Sequence, residues 1–155
     1  MHISKQTEFL RILVKTTCSL LFFVALPANA DKALIQIADD AAKAYKIRPT
    51  LLKAVCHVES AWKANAIGDD GESIGVCQIQ IATGQSYFGK KRGRSEIRRW
   101  LLNPNINIFV AAHLLKSYLN EFDGNEGLAI IAYNAGPHAK VLRHYRKVKQ
   151  AMKSY

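Results

Sequence analysis

The sequence of 155 residues has few of the residues that build metal sites, and it has no long hydrophobic run. It contains three cysteines, and nowhere does it show the CxxC or HExxH spacing that is typical of zinc sites. We therefore predict neither a metal ion nor a cofactor. The sequence also lacks internal repeats and low-complexity segments. At this length, that indicates one domain with one modest core.

The first 30 residues have the composition of an export signal. Basic residues precede an apolar run, LLFFVAL, at residues 20–26, and the small-residue pattern Ala28-Asn29-Ala30 precedes Asp31. The alternative is a membrane helix, but the uncharged stretch at residues 16–30 is short for crossing a bilayer. We predict a cleaved signal peptide at residues 1–30 and a single domain at residues 31–155. We also predict a periplasmic or secreted location without an integral membrane span.

The chain that remains after signal cleavage is basic. Cleavage removes three basic residues and one acidic residue, which lowers the formal net charge from +10 to +8. A basic exported protein suits an anionic polymer such as cell-wall glycan, lipid headgroups or nucleic acid. The run GKKRGR at residues 89–94 is similar to a nucleic-acid-binding patch, but export argues against that function, and a solvated basic loop accounts for the run. We therefore predict no nucleic-acid partner.

Apolar residues at helical spacing dominate the predicted domain. Asn103 and Pro104 form a cap and first-turn pair for a long helix, and the turn-rich residues 65–75 lead into a short predicted strand at residues 76–81. The pattern therefore predicts a mostly α domain with a small β element. The other predicted helices cover residues 31–45, a segment from Pro49 through Glu59, residues 83–88, residues 95–100 with a Ser95 cap, a segment from Asn125 to a stop at Gly136-Pro137, and the last segment through Met152.

Glu59 is the unusual charge in this pattern. It shares an apolar stripe with Leu52 and Val55 at helical spacing, so it faces the core. Burying a carboxylate is costly unless the group is paired or protonated. Two interpretations stay open on spacing alone. Glu59 pairs with Lys63 or His57 at the helix end, or its pKa is raised so that it donates a proton near neutral pH, as glycosidic cleavage requires.

Four motifs together carry a resemblance to a known family. They are Glu59-Ser60 at a helix end, GVCQI at residues 75–79, NPNIN at residues 103–107 and AYNAG at residues 132–136. In this order and spacing, the sequence resembles the lytic transglycosylases of the soluble (SLT) type. These enzymes share the lysozyme-like fold of goose-type lysozyme. The resemblance covers about residues 49–142, nearly the whole predicted domain.

The resemblance implies an enzyme that acts on peptidoglycan glycan strands. Such an enzyme cleaves the bond between N-acetylmuramic acid and N-acetylglucosamine. Glu59 would protonate the glycosidic oxygen and then act as a base on the muramyl 6-hydroxyl, which closes a 1,6-anhydro ring without consuming water. Most glycosidases use two carboxylates that flank the bond. Here the acetamido group of the substrate would support the oxocarbenium-like centre, so no carboxylate partner is required.

The resemblance also implies substrate-binding roles for four residues, each with a structural alternative. Ser60 would position Glu59 or the substrate acetamido group, unless it only makes a local hydrogen bond at the helix end. Gln78 would line the groove and bind the glycan, or serve the turn. Tyr133 would reach Glu59 and tune its proton, or pack in the core. Asn134 would bind sugar or backbone near the cleavage point.

The glycine-led motif departs from the family at two positions. The family usually has GLMQ, whereas this chain has Val76 and Cys77, at positions that we expect to shape the groove floor. Two cysteines remain in an oxidising compartment, where a disulfide is common. If the groove brings Glu59 close to Gln78, as the resemblance implies, Cys56 and Cys77 also come together. We therefore predict a Cys56–Cys77 disulfide, with two buried free thiols as the alternative.

Two other functions fit the same motifs. One is a hydrolytic muramidase in which a turn carboxylate such as Asp70 holds a water molecule. The other is a non-catalytic subunit that binds peptidoglycan during assembly of a larger complex. The small size of the chain resembles specialised transglycosylases that open the wall locally, so a secretion, conjugation or pilus machine is a further expected partner.

Overall fold

Seven α-helices and three short strands make up residues 28–135 and 142–155, the parts of the chain that the computed structural model describes. The prediction of a mostly α fold with a small β element is confirmed. The strands are β1 (Ile67–Gly68), β2 (Ser73–Ile74) and β3 (Ile79–Gln80). The helices are α1 (Ala28–Tyr45), α2 (Pro49–Ser60), α3 (Ile81–Phe88), α4 (Arg94–Leu101), α5 (Pro104–Glu121), α6 (Glu126–Ala135) and α7 (Leu142–Ala151).

The three strands form one antiparallel sheet in the order β1-β2-β3. Ile74 pairs with Ile67 on one side and with Ile79 on the other. The prediction of a strand over residues 76–81 is wrong at both ends, because the strand covers only Ile79–Gln80. Gly75 and Gln78 have φ angles of 79° and 49°, and these left-handed conformations turn the chain before it can pair.

Helix starts follow the capping chemistry of the sequence at one site and depart from it at another. The side-chain oxygen of Asn103 accepts from the backbone N–H groups of Asn105 and Ile106 at 3.0 and 3.3 Å, so the predicted cap of α5 is confirmed. The predicted Ser95 cap is wrong, since α4 begins at Arg94 and its N-cap is Gly93 in an extended conformation. Helix α1 starts at Ala28, three residues before the predicted start. The predicted helix stop at Gly136-Pro137 lies outside the described residues.

Helix α5 forms the centre of the unit Asp31–Tyr155. It contacts α2, α4, α6 and β3, while α7 packs against α2 and α6. Ile108, Ala111 and Leu115 of α5 are completely buried. Burial of a large aliphatic side chain contributes about 1.5–3 kcal/mol, so this helix holds the elements that surround the cleft described below.

No helix within residues 28–135 and 142–155 is long and apolar enough to cross a membrane. In the same part of the chain, no group of three or more His, Cys, Asp and Glu side chains could hold a metal ion.

Candidate active site

A cleft of about 440 Å³ brings together four of the predicted site residues. Glu59 comes from the end of α2, Gln78 from the turn before β3, and Tyr133 and Asn134 from the end of α6. These residues are up to 75 positions apart in sequence, so only the packing of α2, α6 and the sheet around α5 makes them neighbours. The other lining residues are Asp69, Ser73, Ile79, Gln80, Thr83, Leu114, Tyr118 and Ala132.

The chain direction changes sharply just after Glu59. Ala61 and Trp62 have φ angles of 51° and 63°, and the N–H of Ala61 donates to the carbonyl of His57 at 2.7 Å. Trp62 is only 6% exposed, and its indole N–H donates to the hydroxyl of Tyr155 at 2.8 Å. Two left-handed residues and a buried tryptophan therefore end α2 at a defined place and hold Glu59 in its last turn.

The electrostatic surroundings of Glu59 favour its protonated form. Burial and, to a smaller extent, the negative charge of Asp69 raise the pKa of Glu59 from 4.5 to about 7, although the positive charge of Lys147 acts in the opposite direction. Desolvation is the largest of these effects because a charged carboxylate loses its hydration in the cleft wall. The predicted proton-donor role of Glu59 is compatible with this environment.

Tyr133 is tied to the loop that carries Gln78. Its hydroxyl donates to the carbonyl of Cys77 at 2.7 Å. Burial raises the pKa of Tyr133 well above its ordinary value, and the nearby charge of Glu59 raises it further. The tyrosine therefore stays protonated and serves as a donor to the backbone. Its predicted role in tuning the proton of Glu59 stays a prediction.

Gln78 both lines the cleft and stabilises its own turn. Its side-chain amide donates to the carbonyl of Gly75 at 2.9 Å, within the turn where Gln78 itself has a φ of 49°. A Cβ atom at Gly68 would overlap the Oε1 atom of Gln78, so glycine at that position leaves room for the amide. Gln78 therefore lines the cleft and also serves the turn, and its predicted binding of the glycan stays a prediction. Asn134 is exposed at the same cleft.

Ser60 does not line the cleft. Its hydroxyl donates to the carbonyl of Val76 at 2.7 Å and accepts from the N–H of Lys63 at 3.0 Å. These bonds match the structural alternative, in which Ser60 stabilises the helix end. They also fix the end of α2 to the turn before Gln78, and the predicted positioning of Glu59 or the substrate by Ser60 stays a prediction.

The structure contains the Cys56–Cys77 disulfide, with Cα atoms 4.2 Å apart. Val76 and Cys77 are completely buried, so the expectation that they shape the groove floor is wrong. They occupy the core behind the cleft, because the two left-handed residues on either side direct the turn inward. The disulfide joins the helix of Glu59 to the turn of Gln78.

Asn107 of the NPNIN segment organises the same turn from below, a role that the sequence did not predict. The side chain is fully buried in α5, and its amide N–H groups donate to the carbonyls of Ile74 and Leu101 at 2.7 and 2.9 Å. Its oxygen accepts from the N–H of Cys77 at 2.8 Å. A Cβ atom at Gly75 would overlap this amide. One buried amide therefore satisfies backbone groups of β2, α4 and the turn, which a buried polar group requires.

Asp69 is the acidic residue that sequence reasoning missed. It lines the cleft, accepts a hydrogen bond from the hydroxyl of Ser73 and raises the pKa of Glu59. Asp70, the carboxylate proposed for a hydrolytic mechanism, is exposed and does not line the cleft. Both residues have left-handed conformations, with φ angles of 48° and 52°. The sequence marks a turn here, but the direction of each side chain depends on these angles.

Comparisons with known proteins agree with this architecture. The chain matches the transglycosylase SLT domain family over residues 36–154. It is 32% identical over 124 residues to the invasion protein IagB of Salmonella typhi, a match that covers 71% of this chain and 75% of that protein. It is also 32% identical over 123 residues to IagB of Salmonella typhimurium strain SL1344, covering 70% and 74%.

Two solved structures share the fold. One is an inactive mutant of the lytic transglycosylase Slt of Pseudomonas aeruginosa, with a TM-score of 0.57 and 20% identity over 90% of this chain. The other is the 70 kDa soluble lytic transglycosylase of Escherichia coli, with a TM-score of 0.51 and 22% identity over 74% of this chain. The match spans only 25% and 18% of those longer chains.

The family match covers more than three quarters of the chain and includes the cleft and all four residues brought together there. The similarity to IagB extends over most of both proteins. The chain therefore belongs to the transglycosylase SLT domain family and is a peptidoglycan lytic transglycosylase with a lysozyme-like fold.

Proposed function

We propose that the chain cleaves the bond between N-acetylmuramic acid and N-acetylglucosamine and leaves a 1,6-anhydromuramyl end, with Glu59 as the catalytic residue. The observation that carries this proposal is the environment of Glu59, whose pKa of about 7 lets it exchange a proton in either direction near neutral pH. The cleft around it presents amide and hydroxyl groups, which suit a sugar chain.

The proposed reaction needs two proton transfers at one carboxyl group. Protonated Glu59 gives its proton to the glycosidic oxygen, the bond to C1 of the muramyl residue breaks, and the N-acetylglucosamine leaves. The Glu59 carboxylate then takes the proton from the muramyl 6-hydroxyl while that oxygen bonds to C1. The carboxyl group ends protonated as it began, and no water is consumed. The acetamido group of the substrate supports the positive charge at C1 between the two transfers.

The neighbouring side chains hold the substrate in this scheme. The amides of Gln78 and Asn134 would bind the sugars on either side of the scissile bond. Tyr133, Asn107 and the disulfide hold Cys77, so Gln78 keeps a constant position relative to Glu59. Such constraint contributes to catalysis because small displacements of positioned groups reduce the rate strongly.

Product mass tests the proposal against hydrolysis. Asp69 in the cleft favours hydrolysis as a second candidate, because it is a carboxylate that could hold a water molecule. Purified sacculi digested by the protein are expected to yield muropeptides with anhydro ends. A product that is heavier by one water molecule would instead establish a muramidase. If the sacculi bind the protein but stay intact, the chain is a non-catalytic peptidoglycan-binding subunit.

We expect the cleavage rate to fall as the pH rises above about 7. The first step needs protonated Glu59, and the protonated fraction drops about tenfold for each pH unit above the pKa. Because the charge of Asp69 raises this pKa, Asp69→Asn should move the falling limb to lower pH. The measurement is kcat/KM on solubilised glycan strands between pH 5 and 9. A limb that stays in place in the variant would contradict the assigned influence of Asp69, whatever the change in absolute rate.

We further propose that the protein works in the periplasm or outside the cell, where peptidoglycan lies, after cleavage of residues 1–30. Its similarity to proteins named invasion proteins supports a role beside a secretion, conjugation or pilus machine that must cross the wall. Such a machine would need an opening of limited size, which suits a small transglycosylase.

A further inference from the structure

A second groove of about 270 Å³ lies where the end of α3 meets the first half of α5, and it shares no lining residue with the cleft. Aromatic and aliphatic side chains form nearly all of its wall. The lining residues are Tyr87, Phe88, Asn105, Ile106, Phe109 and Val110. Tyr87 is 39% exposed. Apolar surface is therefore open to the solvent here, beside the ring of an exposed tyrosine.

The chain that follows this groove is strongly basic. Residues 89–99 contain six basic residues and one acidic residue, a net charge of +5. Lys90 and Lys91 come two and three residues after Phe88, and both are exposed. Neither lysine forms an ion pair with any residue that the structure describes. These two ammonium groups are therefore available to an anion outside the protein.

The segment that carries the two lysines is held against the end of α3. The side-chain amide of Gln85 donates to the carbonyl of Arg92 at 3.0 Å, and the N–H of Arg92 donates to the carbonyl of Gly89 at 3.1 Å. The guanidinium group of Arg92 lies 5.1 Å from the centre of the Trp100 ring. The Phe88 ring packs edge-on against the same ring, with the centres 5.0 Å apart. The lysines therefore keep their place beside the groove, which lowers the entropic cost of association.

An anionic phospholipid bilayer has the chemistry that complements this combination. Its phosphate groups attract lysines, tyrosine rings favour the level of the headgroups, and an exposed apolar surface enters the boundary between headgroups and acyl chains. Peptidoglycan also offers anionic groups, but it has no apolar layer beneath them. A second copy of the chain would place like charges next to each other in a symmetric pair, which is unfavourable. The groove and the lysines together therefore favour a bilayer.

We propose that the surface formed by Tyr87, Phe88, Lys90 and Lys91 docks the exported protein on an anionic phospholipid bilayer. The lysines pair with lipid phosphates, and Tyr87 and the apolar groove contact the lipid below them. Thr83 lines the cleft and Tyr87 lies about one turn further along α3, so the docked surface is next to the cleft without including its lining residues. Docking would confine cleavage to wall close to a membrane. This inference rests on the proposed export, and it does not depend on which cleavage product forms.

Vesicle binding by the exported protein tests this inference. The vesicles contain equal parts of phosphatidylglycerol and phosphatidylcholine, and vesicles of phosphatidylcholine alone are the uncharged reference, to which we expect much weaker binding. The double variant Lys90→Gln, Lys91→Gln should weaken binding to the anionic vesicles by roughly 30-fold at low salt, the contribution of two lysines close to an anionic bilayer. The matched control is Lys149→Gln, Lys153→Gln, which removes the same charge from exposed positions in α7 and after it. It should have a much smaller effect.

Salt separates the charged contribution from the apolar one. The Debye length falls from about 10 Å at 0.1 M to about 3 Å at 1 M salt, so the effect of the two lysines should largely disappear at the higher concentration. Tyr87→Ser should instead weaken binding by a similar factor at both concentrations, because an apolar contact is not screened. A tyrosine variant that binds like the unchanged protein would overturn the apolar part of the inference.

Purified sacculi supply the competing surface. Equal loss of vesicle binding in the two double variants would assign the binding to net charge alone. Unchanged vesicle binding in Lys90→Gln, Lys91→Gln, or a loss of binding to sacculi in place of vesicles, would show that this surface does not dock on lipid. Each of these results overturns the inference. Both double variants should cleave soluble glycan strands at the unchanged rate, so a failure of docking stays distinct from a failure of the proposed reaction.

Discussion

Replacement of Glu59 by glutamine is expected to abolish cleavage of peptidoglycan while the fold stays intact. The amide has nearly the same shape as the carboxyl group but cannot deliver a proton to the glycosidic oxygen. Loss of a general acid commonly lowers the rate by about 10²–10⁴-fold, and here the same group would also serve as the base. The measurement is release of soluble muropeptides from purified sacculi. Thermal unfolding checks the fold.

A matched control for this variant is Glu96→Gln. Glu96 lies in α4, outside the cleft, and pairs with Arg92 at 3.1 Å on the surface. Exposed pairs of this kind contribute little to stability, so the control should keep its activity. If Glu59→Gln retains activity within threefold of the unchanged protein, Glu59 is not the catalytic acid.

Removal of the disulfide is expected to produce the largest loss of stability. The bridge joins residues 21 positions apart, and closing a loop of this size stabilises a protein by roughly 3 kcal/mol in the chain-entropy model. The double variant Cys56→Ala, Cys77→Ala should therefore unfold at lower urea concentration. Some activity should remain, because Asn107 and Tyr133 still bind the backbone of Cys77. Urea unfolding at equilibrium measures the difference.

Reduction supplies the control for the disulfide. A reductant should destabilise the unchanged protein by a similar amount and should not affect the double variant. Intact mass after alkylation under denaturing conditions without reductant tests whether the disulfide forms in the exported protein. Two alkyl groups at Cys56 and Cys77 would show that the exported protein holds free thiols and that the bridge is absent.

Much of the helical structure followed from local signals. Apolar periodicity and capping depend on neighbours in the sequence, so the start of α2 at Pro49 and the cap of α5 at Asn103 were predictable. The bounds of β3 were not, since Val76 and Cys77 were expected to begin the strand but are buried in the turn before it. Their direction depends on left-handed angles at Gly75 and Gln78, which are stabilised by the distant Asn107 and by the turn itself.

By itself, the sequence determined the class of the fold, the family and the unusual place of Glu59 on an apolar helix face. Only the tertiary structure decided which charges surround that carboxyl group. Asp69, which lines the same cleft, and Lys147 of α7 are among the charges that act on it. The physical reason is the separation along the chain over which each effect acts. Helical periodicity is set within a few residues, whereas the pKa of a buried group depends on desolvation and on charges that folding brings close from 10 and 88 positions away.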